Sequence, residues 1–406
     1  MRLSKLLPFN DARIKISEFQ KTSNIEEIDL KEAHNRVLAC DVFSYHNSPS
    51  FDKSAMDGFA VIAEDTFGAS QNNPLKFKVI DSIGAGDFSK KQINNNEAIL
   101  IATGSPIPSG ANAVIMKEFT SINGNDLEIQ SQVTPHENIS PKSEDIKKGN
   151  KVLSRNTYIR PQEIGLIASA GYSKIKVYKK PKIKLLVTGN ELVEPSECLK
   201  EAEIINSNQF ILSSMIESCG ADFEYSHIRD EFDETKKAIS ESSIDFDAII
   251  TTGGTALSKG DLVVDACDYL GKIIFHGVSI RPGKPAAFAI VNDCPVFMLS
   301  GQPVAAMGQF DMFARKFLMN MQGLDYSDKI VKRKSQVKIP STVGRTDYVR
   351  AVSDDKFTRH VLNRGSGIIR SMVEANSYII INENNEGIQE GDIIDVLFFN
   401  SMNFNR

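Results

Sequence analysis

Hydrophobic positions along this chain change their period several times. Near the N-terminus, DARIKISEFQKT puts Ile14, Ile16 and Phe19 at helical spacing behind an acidic start, which predicts a first helix. From about Asp41 to Gly149 the pattern turns into short β-type runs, GFAVIA, LKFKVI, AILIAT and AVIMKE, cut by Gly, Pro and Asn turns. RPQEIGLIASAG predicts a helix stopped by Gly171, and KIKVYKKPKIKLLVTG predicts two strands after it. From about Lys182 to Gly323 strands alternate with helices: IKLLVTG, SNQFILSSMIESCG, DFEYSHIRD, FDETKKAISES, FDAIITTGG and DLVVDACDYLG. That alternation predicts parallel βαβ units with right-handed crossovers. PAAFAIV and PVFMLSG read as strands ahead of a long helix, QPVAAMGQFDMFARKFLMNMQ, closed by Gly323. TDYVRAVSD, TRHVLN, SYIIINE and GDIIDVLFF then return to β spacing and predict a small terminal barrel or sandwich.

The fold class is therefore multidomain α/β and β: a three-layer βαβ domain with a mostly parallel sheet, a β-rich domain, a linking helical/β segment and a barrel-like β domain. At roughly 150 residues per domain, 406 residues imply two to four domains. Hydrophobic residues at 41% and charged residues at 24% exclude a disordered or fibrous chain. A net charge of -5 is the wrong sign for a surface that tracks nucleic acid or anionic lipid, so neither is expected as a partner. Cys40, Cys198, Cys219, Cys267 and Cys294 are scattered and odd in number, which excludes a disulfide framework and a thiolate zinc site. Reduced, buried thiols in a cytoplasmic protein are expected. The opening apolar run is broken by Pro8 and Asp11, and no stretch approaches the ~20 apolar residues of a membrane span.

Three predicted strands of the βαβ domain end in glycine turns carrying polar groups: VTGNEL, ITTGGTALSKGD and LSGQPV. In open α/β sheets ligands collect at the carboxyl ends of the strands, so the ligand is expected there. Gly253 and Gly254 allow close backbone approach to a phosphate, and Asp261 stands near the start of the next helix. In SIRPGKPAAFAI, two prolines stiffen a turn presenting Arg281 and Lys284, a cation pair suited to an oxyanion. Asp57 of SAMDGFA reads on its own as a turn residue, because Asp-Gly is a common turn dipeptide. The six histidines show no ligand spacing, whereas Asp57, Asp145, Glu191, Asp230 and Asp261 favour a hard cation such as Mg²⁺. Walker, Rossmann and nucleophile-elbow motifs are absent.

Taken in order, SFDKSAMDGFAV, ATGSPIPSGANAVIMKE, SEDIKKG, PKIKLLVTGNEL, INSNQF, TTGGTALSKGD, IRPGKPAAFA, LSGQPVAA, TDYVRA and GSGIIRSMVEANSYI resemble the molybdopterin molybdenumtransferases, the family that includes the C-terminal part of gephyrin. The resemblance spans essentially the whole chain. It implies domains at 1–44 with 140–178 (the linking domain, discontinuous), 45–139 (β-rich), 179–325 (molybdopterin-binding) and 326–406 (barrel). It implies a homodimer whose cleft lies between the βαβ domain of one subunit and the β-rich domain of the other. It also implies an enzyme of molybdenum cofactor biosynthesis that takes adenylylated molybdopterin and molybdate and releases AMP with Mg²⁺. Asp57, Asp145, Glu191, Asp230 and Asp261 match the family's functional acids, and Thr103 and Lys284 match further functional positions. On this reading Asp57, Asp145 and Glu191 hold the metal. Gly253, Gly254, Thr255, Ser258, Arg281, Lys284, Ser300, Gly301, Gln302 and Pro303 bind the pterin substrate. A molybdopterin adenylyltransferase and molybdoenzyme apoproteins would be the partners.

The chain also departs from the resemblance. Ala256 and Ser258 replace the usual serine and glycine of the TTGG loop, and Ser300 and Gln302 replace the usual proline and asparagine before Pro303. Ser140 and Ser143 stand where Arg and Gly are usual, and Arg281 replaces a frequent lysine. Losing a hydroxyl at position 256 weakens binding by about 0.5 to 1.5 kcal/mol for a neutral pair. Two other functions stay open on the sequence: a paralogue that carries molybdopterin or finished cofactor to an apoenzyme, and an adenylyltransferase acting one step earlier.

Overall fold

The computed structural model describes residues 6–196, 198–254, 261–362 and 365–399. The first helix runs Phe9–Ser17, and its buried stripe is Phe9, Ala12 and Ile16, with Ile14 exposed. It starts two residues before the acidic signal because Pro8, whose fixed φ suits a helix start, precedes an apolar residue that the core takes up. Leu7 pairs as a parallel bridge with Val278, so the start of the chain lies on the βαβ domain.

The linking segments meet across the chain. Ile25–Asp29 pairs antiparallel with Lys174–Tyr178, and Val42–Phe43 with Lys151–Leu153. The helix Pro161–Ser169 packs Ile167 into the core they enclose and is followed by Gly171 at φ +100°. The β-rich part is a six-stranded sheet, in which Gly58–Val61 lies between Ala113–Met116 and Glu97–Ile101. Phe59 and Val61 face one core and Ala60 the other. Gly58 is not a turn glycine: a Cβ there would stand 1.9 Å from Ile115 O, so the Asp57–Gly58 pair is dictated by close approach of strands.

The central sheet has six strands, and four are parallel: Asp222–Ile228, Lys182–Thr188, Ala248–Thr252 and Cys294–Leu299. Ala287–Val291 and Lys272–His276 extend it antiparallel. Ile183, Leu185 and Val187 face the layer containing the helices Ser207–Ser218, Pro303–Gln309 and Phe9–Ser17, whereas Leu186 faces that of Phe232–Asp245 and Leu262–Leu270. Burial on both faces explains the near-continuous apolar runs of these strands.

The C-terminal strands close into a ring: Thr346–Ser353 pairs with Phe357–His360 and with Ser377–Ile381, and Ile330–Ser335 and Ile393–Phe398 complete the circuit. The terminal domain is a barrel, not a sandwich. The expected long helix is interrupted, running as α-helix over Pro303–Gln309, as a π turn over Phe310–Ala314 and again as α-helix over Arg315–Met321. Asp311 and Arg315 form a buried ion pair across that turn at 2.8 Å. Of the cysteines, Cys219, Cys267 and Cys294 are buried, but Cys40 and Cys198 are exposed, against expectation. No described helix is long and apolar enough to cross a membrane.

Aromatic packing fills the layer beneath the cleft described below. Phe297 is 1% exposed, with ring centroids 4.9 Å from Phe288 and 5.3 Å from Phe317. Phe297→Ala should lower stability by about 3–5 kcal/mol in urea unfolding, because transfer and cavity costs add.

Candidate active site

Lys182–Thr188, Ala248–Thr252 and Cys294–Leu299 end side by side, and a cleft of about 1440 Å³ opens at that edge. The turns are packed backbone on backbone. Gly253 has φ +94°, and a Cβ on it would lie 2.4 Å from Thr188 O; a Cβ on Gly301 would meet Gly253 Cα at 3.4 Å. Two buried amides hold these turns. Asn208 Nδ2 donates to Thr252 Oγ1 at 2.9 Å and to Gly301 O at 2.8 Å, while Thr252 Oγ1 donates to Ser300 O at 2.9 Å. Gln309 reaches the same turn from the helix that Pro303 begins.

Glu191, Asp230, Gly253, Gly254, Arg281, Lys284, Ser300, Gly301, Gln302 and Pro303 all line this cleft. Glu191 and Asp230 are exposed on adjacent turns. Asn190 joins those turns reciprocally: its N–H donates to Asp230 Oδ2 at 3.3 Å and its Oδ1 accepts from the Asp230 N–H at 3.2 Å. Lys284 is exposed and extends from the Gly283 turn. Arg281 is not a free surface cation. Its Nη2 lies 2.6 Å from Asp347 Oδ2, and Asp347 is fully buried. Arg345 Nε stands 3.0 Å from the other oxygen as an ion pair without hydrogen-bond alignment, and Ser341 Oγ donates to Oδ2 at 2.8 Å. The cleft thus has a carboxylate wall and a cationic wall.

Asp261 is the N-cap of the helix Leu262–Leu270, its Oδ1 accepting from the Val264 N–H at 3.2 Å. It is 4% exposed, and burial pushes its carboxyl up to about 7 against the pull of that N–H. Thr255 and Ser258, with Ala256 between them, lie outside the described residues.

Asp57, Thr103 and Asp145 do not line this cleft. Asp57 and Thr103 meet each other instead, Asp57 Oδ1 accepting from the Thr103 N–H at 2.6 Å and its hydroxyl at 2.7 Å. The backbone bond, then the hydroxyl, holds the Asp57 carboxyl below the usual range. Asp145 is exposed, on a turn whose N–H donates to Ser48 O. Among the described residues no three His, Cys, Asp or Glu side chains converge on one metal position. Of the three residues expected to hold a metal, only Glu191 lines this cleft, and Asp230 on the adjacent turn adds a second carboxylate of the oxygen type a hard cation takes.

Sequence reading missed Asn208, Gln309, Arg345 and Asp347. Asn208 and Asp347 sit in quoted stretches, INSNQF and TDYVRA, but nothing marked them individually; Gln309 lies inside the long helix expected from the sequence, with no signal of its own.

Three family models cover the chain: the MoeA N-terminal region (domain I and II) over 7–171, the probable molybdopterin binding domain over 184–320, and the MoeA C-terminal region (domain IV) over 332–399. A putative molybdopterin biosynthesis protein of Methanocaldococcus jannaschii is 39% identical, over 98% of this chain and 99% of the relative. A molybdopterin molybdenumtransferase of Bacillus subtilis is 32% identical, over 98% and 95%. The crystal structure of a molybdopterin biosynthesis moeA protein from Pyrococcus horikoshii superimposes with a TM-score of 0.84 at 31% identity, covering 97% of this chain and all of that one.

The Asp261 carboxyl gives a pH signature. In the folded protein it keeps its proton up to about pH 7, whereas the unfolded chain releases it near 3.8. Between those values the folded state binds more protons, so this group's stabilisation is full below 3.8 and is lost as pH rises through 7. Asp261→Asn keeps the cap acceptor and removes the titration. Urea midpoints from pH 4 to 8 should fall more with rising pH in the unaltered protein than in the variant, and the difference should level off above pH 7.

Proposed function

The chain belongs to the MoeA family of molybdenum cofactor biosynthesis, and on that premise we propose that it inserts molybdate into adenylylated molybdopterin, releasing AMP in a Mg²⁺-dependent reaction and leaving molybdenum cofactor. The observation that carries this reading is the cleft itself, with Glu191 and Asp230 on one wall and Lys284, Arg281 and Arg345 on the other. Molybdate and a pyrophosphate linkage both carry negative charge, and bringing them together requires cations placed in advance. Lys284 would bind as a point charge, whereas Arg281 and Arg345, tied to Asp347, add positive potential beside it. The glycine turns let the phosphate approach the backbone.

Glu191 and Asp230 would hold Mg²⁺ with phosphate oxygens. When bound, such an ion would supply charge neutralisation at the phosphates. Asp57, Thr103 and Asp145 stand outside the cleft of their own chain, and this supports a homodimer in which a second copy brings them to it. Asp57, an exposed carboxylate whose anionic form the Thr103 bonds favour further, would enter as an anion. The substrate arrives adenylylated, so a molybdopterin adenylyltransferase supplies it and a molybdoenzyme apoprotein receives the product.

AMP release from adenylylated molybdopterin should depend on both molybdate and Mg²⁺. Glu191→Ala and Asp57→Ala should each lower it by about 100-fold or more. Mixing the two inactive variants should restore about a quarter of the activity, since half of the dimers then contain one intact cleft. Tight binding without turnover would support a carrier, and unchanged insertion by both variants would falsify the catalytic assignment.

A further inference from the structure

Gln309 closes the helix Pro303–Gln309 and is completely buried. Its two amide ends bind different turns: Oε1 accepts from the Ser300 N–H at 2.6 Å, and Nε2 donates to Gly283 O at 2.7 Å. The orientation is forced, because an N–H can meet only the amide oxygen and a carbonyl only the amide nitrogen. One turn leads into Gly301 and Gln302, and the other precedes Lys284, so the glutamine ties together two separate stretches of the cleft lining. Contact is direct. Gly283 has φ +97°, and a Cβ on it would stand 2.7 Å from Gln309 Cγ.

We propose that Gln309 is a positioning residue, fixing the Lys284 turn against the Ser300–Gln302 turn so that the ammonium meets an oxyanion seated on the neighbouring turn. This rests on the reading of the cleft as an oxyanion site. The oxyanion is either molybdate or the phosphate of the adenylylated substrate. Gln309 touches neither; it acts through the placement of Lys284. An apolar side chain here would leave the buried Ser300 N–H without its acceptor and Gly283 O with the Ala286 N–H alone, so the bond that ties the two turns together would be lost.

A glutamate gives a test that packing alone does not mimic. Gln309→Glu keeps the acceptor for Ser300, and burial raises its pKa. While protonated it donates to Gly283 O as the amide does; once ionised it places a negative charge against that carbonyl. Isothermal titration of the full-length protein with sodium molybdate and, separately, with AMP between pH 6 and 9 supplies the readout, each affinity taken relative to the unaltered protein at the same pH. Gln309→Glu should bind almost normally at the low end and lose about tenfold at the high end, whereas Gln309→Leu should be about tenfold weaker throughout. A loss confined to molybdate or to AMP identifies which oxyanion Lys284 holds.

Normal affinity of both variants at every pH overturns the proposal. So does a melting temperature of Gln309→Glu that follows pH while affinity per folded molecule does not, and so does failure of both variants to fold, since either makes the glutamine a folding residue only. If the unaltered protein binds neither anion, the oxyanion reading of the cleft falls as well.

Discussion

Buried backbone groups must be paired, and at the carboxyl edge of the central sheet that requirement determines the cleft. The parallel strands stop at one level, and in the turns after Ala248–Thr252 and Cys294–Leu299 the Ser300 N–H, Ser300 O and Gly301 O are met by side chains. Glycine at 253 lets its turn pass close to Thr188, and the amides of Asn208 and Gln309 supply donors and an acceptor to the turns. The same construction leaves outward-facing turn residues free for a ligand.

A second joint sets the opposite wall. Ile280–Arg281 pairs in parallel with Thr346–Ser353, a barrel strand, in a register that places Arg281 beside Asp347. A fully buried carboxylate facing two guanidinium groups and a hydroxyl is stable only as a set, because removing one member of a buried pair leaves a charge without its counterpart. Sheet and barrel therefore share one electrostatic unit, and the cation beside the cleft is oriented by a domain that contributes few of the catalytic motifs.

Much of this was legible in the chain. The alternation of strands with helices from Lys182 onward gave the parallel βαβ sheet, and glycines after three of its strands located the binding edge. Elements without such contrast escaped notice. Lys272–His276 follows its helix almost at once, Thr120–Asn123 is nearly all exposed, and Ile330–Ser335 has only two adjacent apolar residues before Lys332, Arg333 and Lys334. Asp57–Gly58 reads as a turn locally, and only the neighbouring Ile115 shows why glycine is required. The partners of Gln309 and Asp347 lie far away in sequence, and a single amide or carboxylate within a helix or strand has no periodic signature. The pairing of Asp57 with Thr103 likewise depends on the folding back of the β-rich sheet.

The parallel bridge from Leu7 to Val278 bears on how the chain can be made. Residues that leave the ribosome first have no resting place until residues near 278 have followed, and Ile25–Asp29 must likewise wait for Lys174–Tyr178. Synthesis from the N-terminus therefore does not complete the protein in order. The β-rich sheet, whose strands all lie between residues 58 and 129, can close while the opening helix still awaits its partner, exposing Phe9 and Ile16 to whatever attends the nascent chain.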